Sequence, residues 1–176
     1  MRKICLLLAL CLITCAFLTA CSTEMYTADP EEYGQYLARV TDSDKYMPAI
    51  SSLGEYTDLQ ITYKYSRAAL LYNVYTVGLF VTYDEESFEE QVNIMKAANV
   101  FYEVYPDEQE TDYVATAGGY DVTMVKHPYE NPVYRSAQLI GVDEENFKIC
   151  YLFYYDISMD NLSDLDSYIV DSFYLK

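Results

Sequence analysis

The sequence predicts an α+β domain, an antiparallel sheet of about five to six strands with helices packed on one face. Period-two alternation in the middle of the chain, a hairpin pattern near its end and helix starts with their caps predict it. From Leu59, the apolar Leu59, Ile61, Tyr63 and Tyr65 alternate with Gln60, Thr62, Lys64 and Ser66. Tyr75, Val77, Leu79, Val81 and Tyr83 repeat the pattern. Alternation of this kind gives a strand one dry and one wet face.

The elements follow in order. Ser22 to Ala28 is short and polar and reads as a tether. Asp29 is placed to cap a helix, with Pro30 at its first position and Glu32 three residues beyond the cap. Tyr33, Leu37 and Val40 line one face of it. A second, shorter helix fits Met47 to Leu53, opened by Pro48 and closed by Gly54. After the two alternating strands, Asp84 caps a helix with Glu85 and Glu86 in its first turn, where acids favour the helix dipole. Phe88, Val92, Met95 and Asn99 mark its inner stripe, and it should end near Val100.

Short strands then fit Val100 to Tyr105, Asp112 to Thr116 and Tyr120 to His127, with Gly118 and Gly119 turning between the last two. Asn131 and Pro132 mark another turn. Tyr134 to Val142 and Phe147 to Tyr155 flank Asp143, Glu144, Glu145 and Asn146, the pattern of a hairpin with a four-residue loop. Asp160 or Asn161 is placed to cap a final helix whose Leu165, Ile169 and Phe173 face inward.

The amino terminus has a different character. Arg2 and Lys3 precede an apolar run from Ile4 that continues to Ala20, the layout of a secretory signal. A membrane span would need roughly 20 predominantly apolar residues, and this run breaks down at Cys21, Ser22, Thr23 and Glu24. The quartet Leu18, Thr19, Ala20 and Cys21 resembles a bacterial lipobox. That resemblance covers the first 21 residues. It implies cleavage between Ala20 and Cys21 and a diacylglycerol on the Cys21 sulfur. One acyl chain binds a membrane only marginally and stable anchoring takes two; a diacylglycerol supplies both. The expected organisation is a signal peptide at 1–20, a lipidated Cys and tether at 21–28 and a single domain at 29–176. Ser22, not an acid, follows the Cys.

Taken whole, the chain resembles small lipoproteins of unknown function from Gram-positive bacteria. The resemblance lies in the Tyr83-Asp84-Glu85-Glu86 strand-to-helix step and the Ile140 to Asp156 hairpin. It implies location and fold, namely the extracytoplasmic face of the cell membrane, and brings no activity with it.

Composition narrows the functional classes. Loss of residues 1–20 takes away Arg2 and Lys3 and no acid, moving the formal charge from −17 to −19. Such a field repels nucleic acid phosphates and anionic headgroups. No nucleic acid partner is expected, and membrane contact is expected through lipid on Cys21. Cys5, Cys11 and Cys15 lie in the leader and Cys21 is the anchor, so Cys150 alone remains and no intramolecular disulfide can form. The domain must be held by its core. Roughly 150 residues can bury about 68–70% of the unfolded surface, which suffices. All 21 Tyr lie beyond the leader and there is no Trp.

Catalytic signals are sparse. His127 is the single histidine, so the common zinc and His-based general-base arrangements lack partners. Cys150 sits in the apolar run Ile149, Cys150, Tyr151, Leu152, Phe153, which predicts a buried, inert thiol. There is no G-x-S-x-G elbow, and Gly118-Gly119 lacks the lysine of a phosphate loop. Two acidic groups, Asp107, Glu108, Glu110 and Asp112, and Asp156, Asp160 and Asp164, offer oxygen ligands but not the spacing of a calcium loop. No cofactor and no metal site are expected. The reading is a membrane-anchored extracytoplasmic binding module, more an interaction protein than an enzyme, with an envelope protein or glycan as partner. The alternative is an envelope hydrolase using paired carboxylates, since 28 acids offer many pairs.

Overall fold

The computed structural model describes residues 22–40, 43–68, 72–99, 114–126, 136–156 and Phe173. Among these, seven strands form one antiparallel sheet in the order β1-β2-β3-β7-β6-β5-β4. The strands are β1 (Ser22–Thr27), β2 (Asp58–Ala68), β3 (Tyr72–Thr82), β4 (Val114–Ala117), β5 (Tyr120–Lys126), β6 (Ser136–Asp143) and β7 (Lys148–Asp156). The helices are α1 (Pro30–Leu37), α2 (Ser43–Tyr46) and α3 (Glu85–Ala98), with a 3₁₀ turn at Ile50–Ser52. An antiparallel sheet with helices on it is the expected class; the strand count exceeds the expected five to six.

The extra strand is a correction. Ser22 to Ala28 is not a tether: Ser22–Thr27 is a sheet strand, paired along its length with β2 from Ser22↔Ser66 to Thr27↔Ile61. Its polar side chains concealed it, because an edge strand over a curled sheet need dry only some of its residues. Met25 does so beside Tyr63, and Glu24 pairs with Lys64 at 3.6 Å.

Other boundaries move for local reasons. The helix expected at Met47 to Leu53 is replaced by the short α2 before Pro48 and the 3₁₀ turn after it, because Pro48 lacks an N–H and disfavours a helical residue before it. Gly54 closes this segment at φ 68°, in the left-handed region glycine favours. In the last hairpin Asp143 pairs with Lys148, so the loop is Glu144 to Phe147, one residue later than expected. The Asn146 N–H and its Nδ2 donate to the buried Asp143 carboxylate, which fixes the turn. The expected strand at Val100 to Tyr105 lies outside the described residues, as does the final helix apart from the buried Phe173.

The helix starts follow the caps. The Glu31 N–H donates to Asp29 Oδ1 at 2.9 Å, and the Ser87 N–H to Asp84 Oδ1 at 2.8 Å. The Ser87 contacts hold the Asp84 carboxyl below its usual value. The inner stripe of α3 is Phe88, Gln91 and Met95; Val92 is only half-buried, and Asn99 turns back to donate to the Met95 carbonyl at 2.8 Å. Gln91 was absent from the expected stripe because its amide is polar, yet it packs against the backbone of Gly54, where an added Cβ would stand 2.5 Å from Gln91 Nε2.

The two faces of the sheet are distinct. Leu59, Ile61, Val77, Leu79, Ile149, Tyr151 and Phe153 pack under α1 and α3 with Tyr33, Tyr36, Phe88 and Met95. The opposite face gathers Val122, Met124, Leu139, Cys150, Leu152, Tyr154 and Phe173. This second face is concave. Phe80 of β3 and Tyr120 of β5 are separated by two intervening strands, so three spacings, roughly 14 Å, lie between their backbones. Their rings nevertheless approach to 6.2 Å between centroids. Gly141 between them makes this possible, since a Cβ there would stand 2.6 Å from Cys150 Sγ and 3.0 Å from Tyr120 Cβ. Gly78 does the same on β3, where a Cβ would meet Thr62 Oγ1 at 2.5 Å and the Phe80 ring at 2.8 Å.

Candidate functional site

The inward curl opens a cleft of about 230 Å³ at one end of the concave face. Strand register explains its lining. Asp58 of β2, Thr82 of β3 and Lys148 of β7 stand in one cross-strand row, and Gln60 and Phe80 in the next. Tyr26 pairs with Thr62 in the row behind. Tyr120 and the turn at Gly118 close the cleft from the far side of the curl, with Phe173 beneath. Because paired residues point to the same side of a sheet, each row delivers its side chains to the same wall.

The Gly118-Gly119 turn has φ 58° and 88°, the two positive values that a two-residue type I′ hairpin turn requires. A Cβ at Gly119 would reach 3.2 Å from Asp143 Oδ2, so the glycines also let this turn settle against the β6–β7 hairpin. The reading of these glycines as turn punctuation therefore agrees with their geometry, and they additionally form part of the cleft wall.

The lining mixes aromatic faces with short polar groups. Tyr26 is 55% exposed and presents its ring at the rim. Asp58 and Lys148 bring opposite charges, while Gln60, Thr62 and Thr82 bring neutral donors and acceptors. The Tyr120 hydroxyl has its pKa raised, first by burial and then by Cys150 and Asp143 nearby, so it stays protonated and can donate or accept as a neutral group. Among the described residues, Asp58 is the one carboxylate in this lining.

Most residues singled out in the sequence lie outside the described residues. Ala20 and Cys21 lie outside the described residues, two positions and one position before β1 begins. His127 lies outside them too. Cys150 is fully buried beneath Gly141, and burial pushes its thiol pKa up, so its apolar strand indeed makes it an inert packing residue. Of the acidic groups, Asp107, Glu108, Glu110, Asp112, Asp160 and Asp164 lie outside the described residues, and Asp156 ends β7. Among the described residues no cluster of three or more His, Cys, Asp or Glu is placed to hold a metal ion, and no helix is long and apolar enough to cross a membrane.

Sequence reasoning missed Asp58, Gln60, Thr62 and Thr82 as a group. Gln60 and Thr62 stood in the polar phase of the alternating strand, which reads as a wet outer face. Thr62 is only 8% exposed, because the curl turns that face inward. The signal available was the glycine in each of two strands, Gly78 and Gly141, since a strand glycine often marks a bend or close approach. No protein family matches the chain, and neither a curated protein nor a solved structure matches it.

Proposed function

We propose that the chain is an exported lipoprotein held through Cys21 on the extracytoplasmic face of a cell membrane, and that its domain is a binding module whose ligand seat is the concave-face cleft. The anchor rests on Arg2 and Lys3, the apolar run and the Leu18 to Cys21 quartet. The cleft carries the binding reading: rings of Tyr26, Phe80 and Tyr120 stand beside Asp58, Gln60, Thr62, Thr82 and Lys148. Aromatic faces with a few placed polar groups suit a small hydroxylated ligand such as one unit of an envelope glycan. About 230 Å³ is below the roughly 300–1,000 Å³ of sites for drug-sized molecules, which fits a single saccharide unit.

This reading is favoured over a carboxylate-pair hydrolase by the lining itself. Sugar hydrolysis by that route needs two carboxyl groups flanking the bond, roughly 5 to 9.5 Å apart, and among the described residues the cleft presents Asp58 without a second.

Two experiments test the two halves. Cys21→Ala is expected to abolish fatty-acid labelling and release the protein from the membrane fraction; a variant that stays labelled and membrane-bound refutes the anchor. For the cleft, titration of the purified lipoprotein with envelope-derived oligosaccharides is expected to show saturable binding that Gln60→Ala weakens by about tenfold, the loss of one to two hydrogen bonds. Binding that Gln60→Ala and Lys148→Ala both leave unchanged would move the site elsewhere.

A further inference from the structure

The cleft holds two opposite charges that do not neutralise each other. Asp58 and Lys148 stand in one cross-strand row, Asp58↔Thr82↔Lys148, with Thr82 between them. Two strand spacings, roughly 9.6 Å, separate their backbones. Asp58 is exposed and Lys148 half-buried, and among the described residues neither forms an ion pair. Asp143 is the direct neighbour of Lys148 on β6, yet its carboxylate is turned to its own hairpin loop, where it accepts from the Asn146 N–H and Nδ2 within 3.0 Å. Resting on the reading of this cleft as a saccharide seat, we propose that the unit it selects is zwitterionic, with an ammonium group on Asp58 and a carboxylate on Lys148.

A second observation points to a ligand at the same place. Thr62 and Tyr120 are 8% and 7% exposed, and among the described residues neither hydroxyl has a hydrogen-bond partner. Both line the cleft, as does Gln60, whose side-chain amide is likewise unpartnered among the described residues. Buried polar groups are ordinarily hydrogen-bonded, and these three supply the neutral donors and acceptors that the hydroxyls of a sugar ring match. Phe80 lies one row further in than Thr82 on the same side of the sheet, where its ring offers an apolar face to the C–H groups of that ring.

The two charges decide between classes of sugar. A neutral sugar would displace water from Asp58 and Lys148 and return only neutral hydrogen bonds, which are weaker than charge-assisted ones. An acid without an amine would enter a cleft that also holds Asp58, on a chain of formal charge −17. An amine without an acid would sit near Lys148 and leave it unmatched. A group left unpaired in this way is how a site discriminates against the wrong ligand. One molecule that carries both groups on opposite sides of a six-membered ring compensates both walls at once. The concave curl brings side chains closer than their backbones, as the 6.2 Å approach of Phe80 and Tyr120 shows, so a single ring is enough to reach both charges.

The test is calorimetric titration of the purified lipoprotein with four sugars of one ring size: 2-amino-2-deoxyglucuronic acid, which carries both groups, glucosamine, glucuronic acid and glucose. The zwitterion is expected to bind about tenfold more tightly than either singly charged sugar, the worth of one charge-assisted hydrogen bond. Asp58→Asn is expected to erase the advantage conferred by the amine and keep that of the carboxylate, and Lys148→Gln to do the reverse. Equal binding of all four sugars, weakened by Gln60→Ala, overturns the charge assignment while leaving the cleft as a saccharide seat. An advantage from only one of the two groups, or one that survives the substitution meant to remove it, overturns the zwitterion as well. Binding of none of the four, or equal binding that Gln60→Ala leaves untouched, overturns the saccharide reading of the cleft and this inference with it.

Discussion

Two tyrosines in the same core show how one hydroxyl decides a residue's contribution. Tyr33 donates to the Pro48 carbonyl at 3.0 Å, whereas the Tyr83 hydroxyl, in a residue only 3% exposed, has no hydrogen-bond partner among the described residues. A buried hydroxyl without a partner costs about 1–3 kcal/mol, while a satisfied one contributes about 1 kcal/mol net. Tyr83→Phe is therefore expected to raise the unfolding free energy by about 1 kcal/mol, and Tyr33→Phe to lower it by a similar amount. Urea denaturation of both variants checks this; equal destabilisation of the two would show that Tyr83 is satisfied in solution. The sequence marked Tyr33 as an inner-face residue and Tyr83 as the end of an alternating strand, but it had no means of telling which hydroxyl would find an acceptor. Pro48 is 15 positions from Tyr33, and only folding brings its carbonyl there.

Glycines carry opposite roles in the helices and in the sheet. Gly34 lies inside α1, where an added Cβ would meet nothing within 4 Å, so Gly34→Ala should stabilise the protein by about 1 kcal/mol through helix propensity alone. Gly141 lies in β6 under Cys150 and Tyr120, and Gly141→Ala is expected to cost about 1–3 kcal/mol by overpacking and to flatten the curl that shapes the cleft. Thermal melting separates the two cases, the first variant moving up and the second down. A Gly141→Ala variant as stable as the parent would mean that the concave face yields more readily than its close contacts indicate. Helix starts at Asp29 and Asp84 were legible because a cap acts within three residues, and both carboxylates do accept the N–H groups expected of caps. Strand β1 was not legible, since its place depends on pairing with β2 some 40 residues away and not on its own pattern.

At the scale of the whole molecule, buried tyrosines couple stability to alkaline pH. Burial raises the pKa of Tyr33, Tyr83, Tyr120 and Tyr151, with Tyr151 pushed up from 10.0 to about 12. In that interval the folded state keeps a proton that the unfolded state has released, so stability falls as pH rises. The contribution of Tyr151 is whole below about 10 and is lost progressively as pH climbs through about 12. Melting temperature is expected to hold steady up to about 10 and to drop beyond it, in step with the tyrosinate absorbance; release of all tyrosine protons near 10 without loss of fold would refute the burial argument. By itself the sequence determined the fold class, the two capped helices, the main strand pairs and the inertness of Cys150, because alternation, caps and apolar runs act over a few residues. Only the tertiary structure decided that Ser22–Thr27 joins the sheet, that the polar phase of β2 turns inward and that Asp58, Gln60, Thr82 and Lys148 share one cleft. The first follows from pairing with β2, and the others from a sheet curvature that close approaches at Gly78 and Gly141, on separate strands, permit only once the strands are paired.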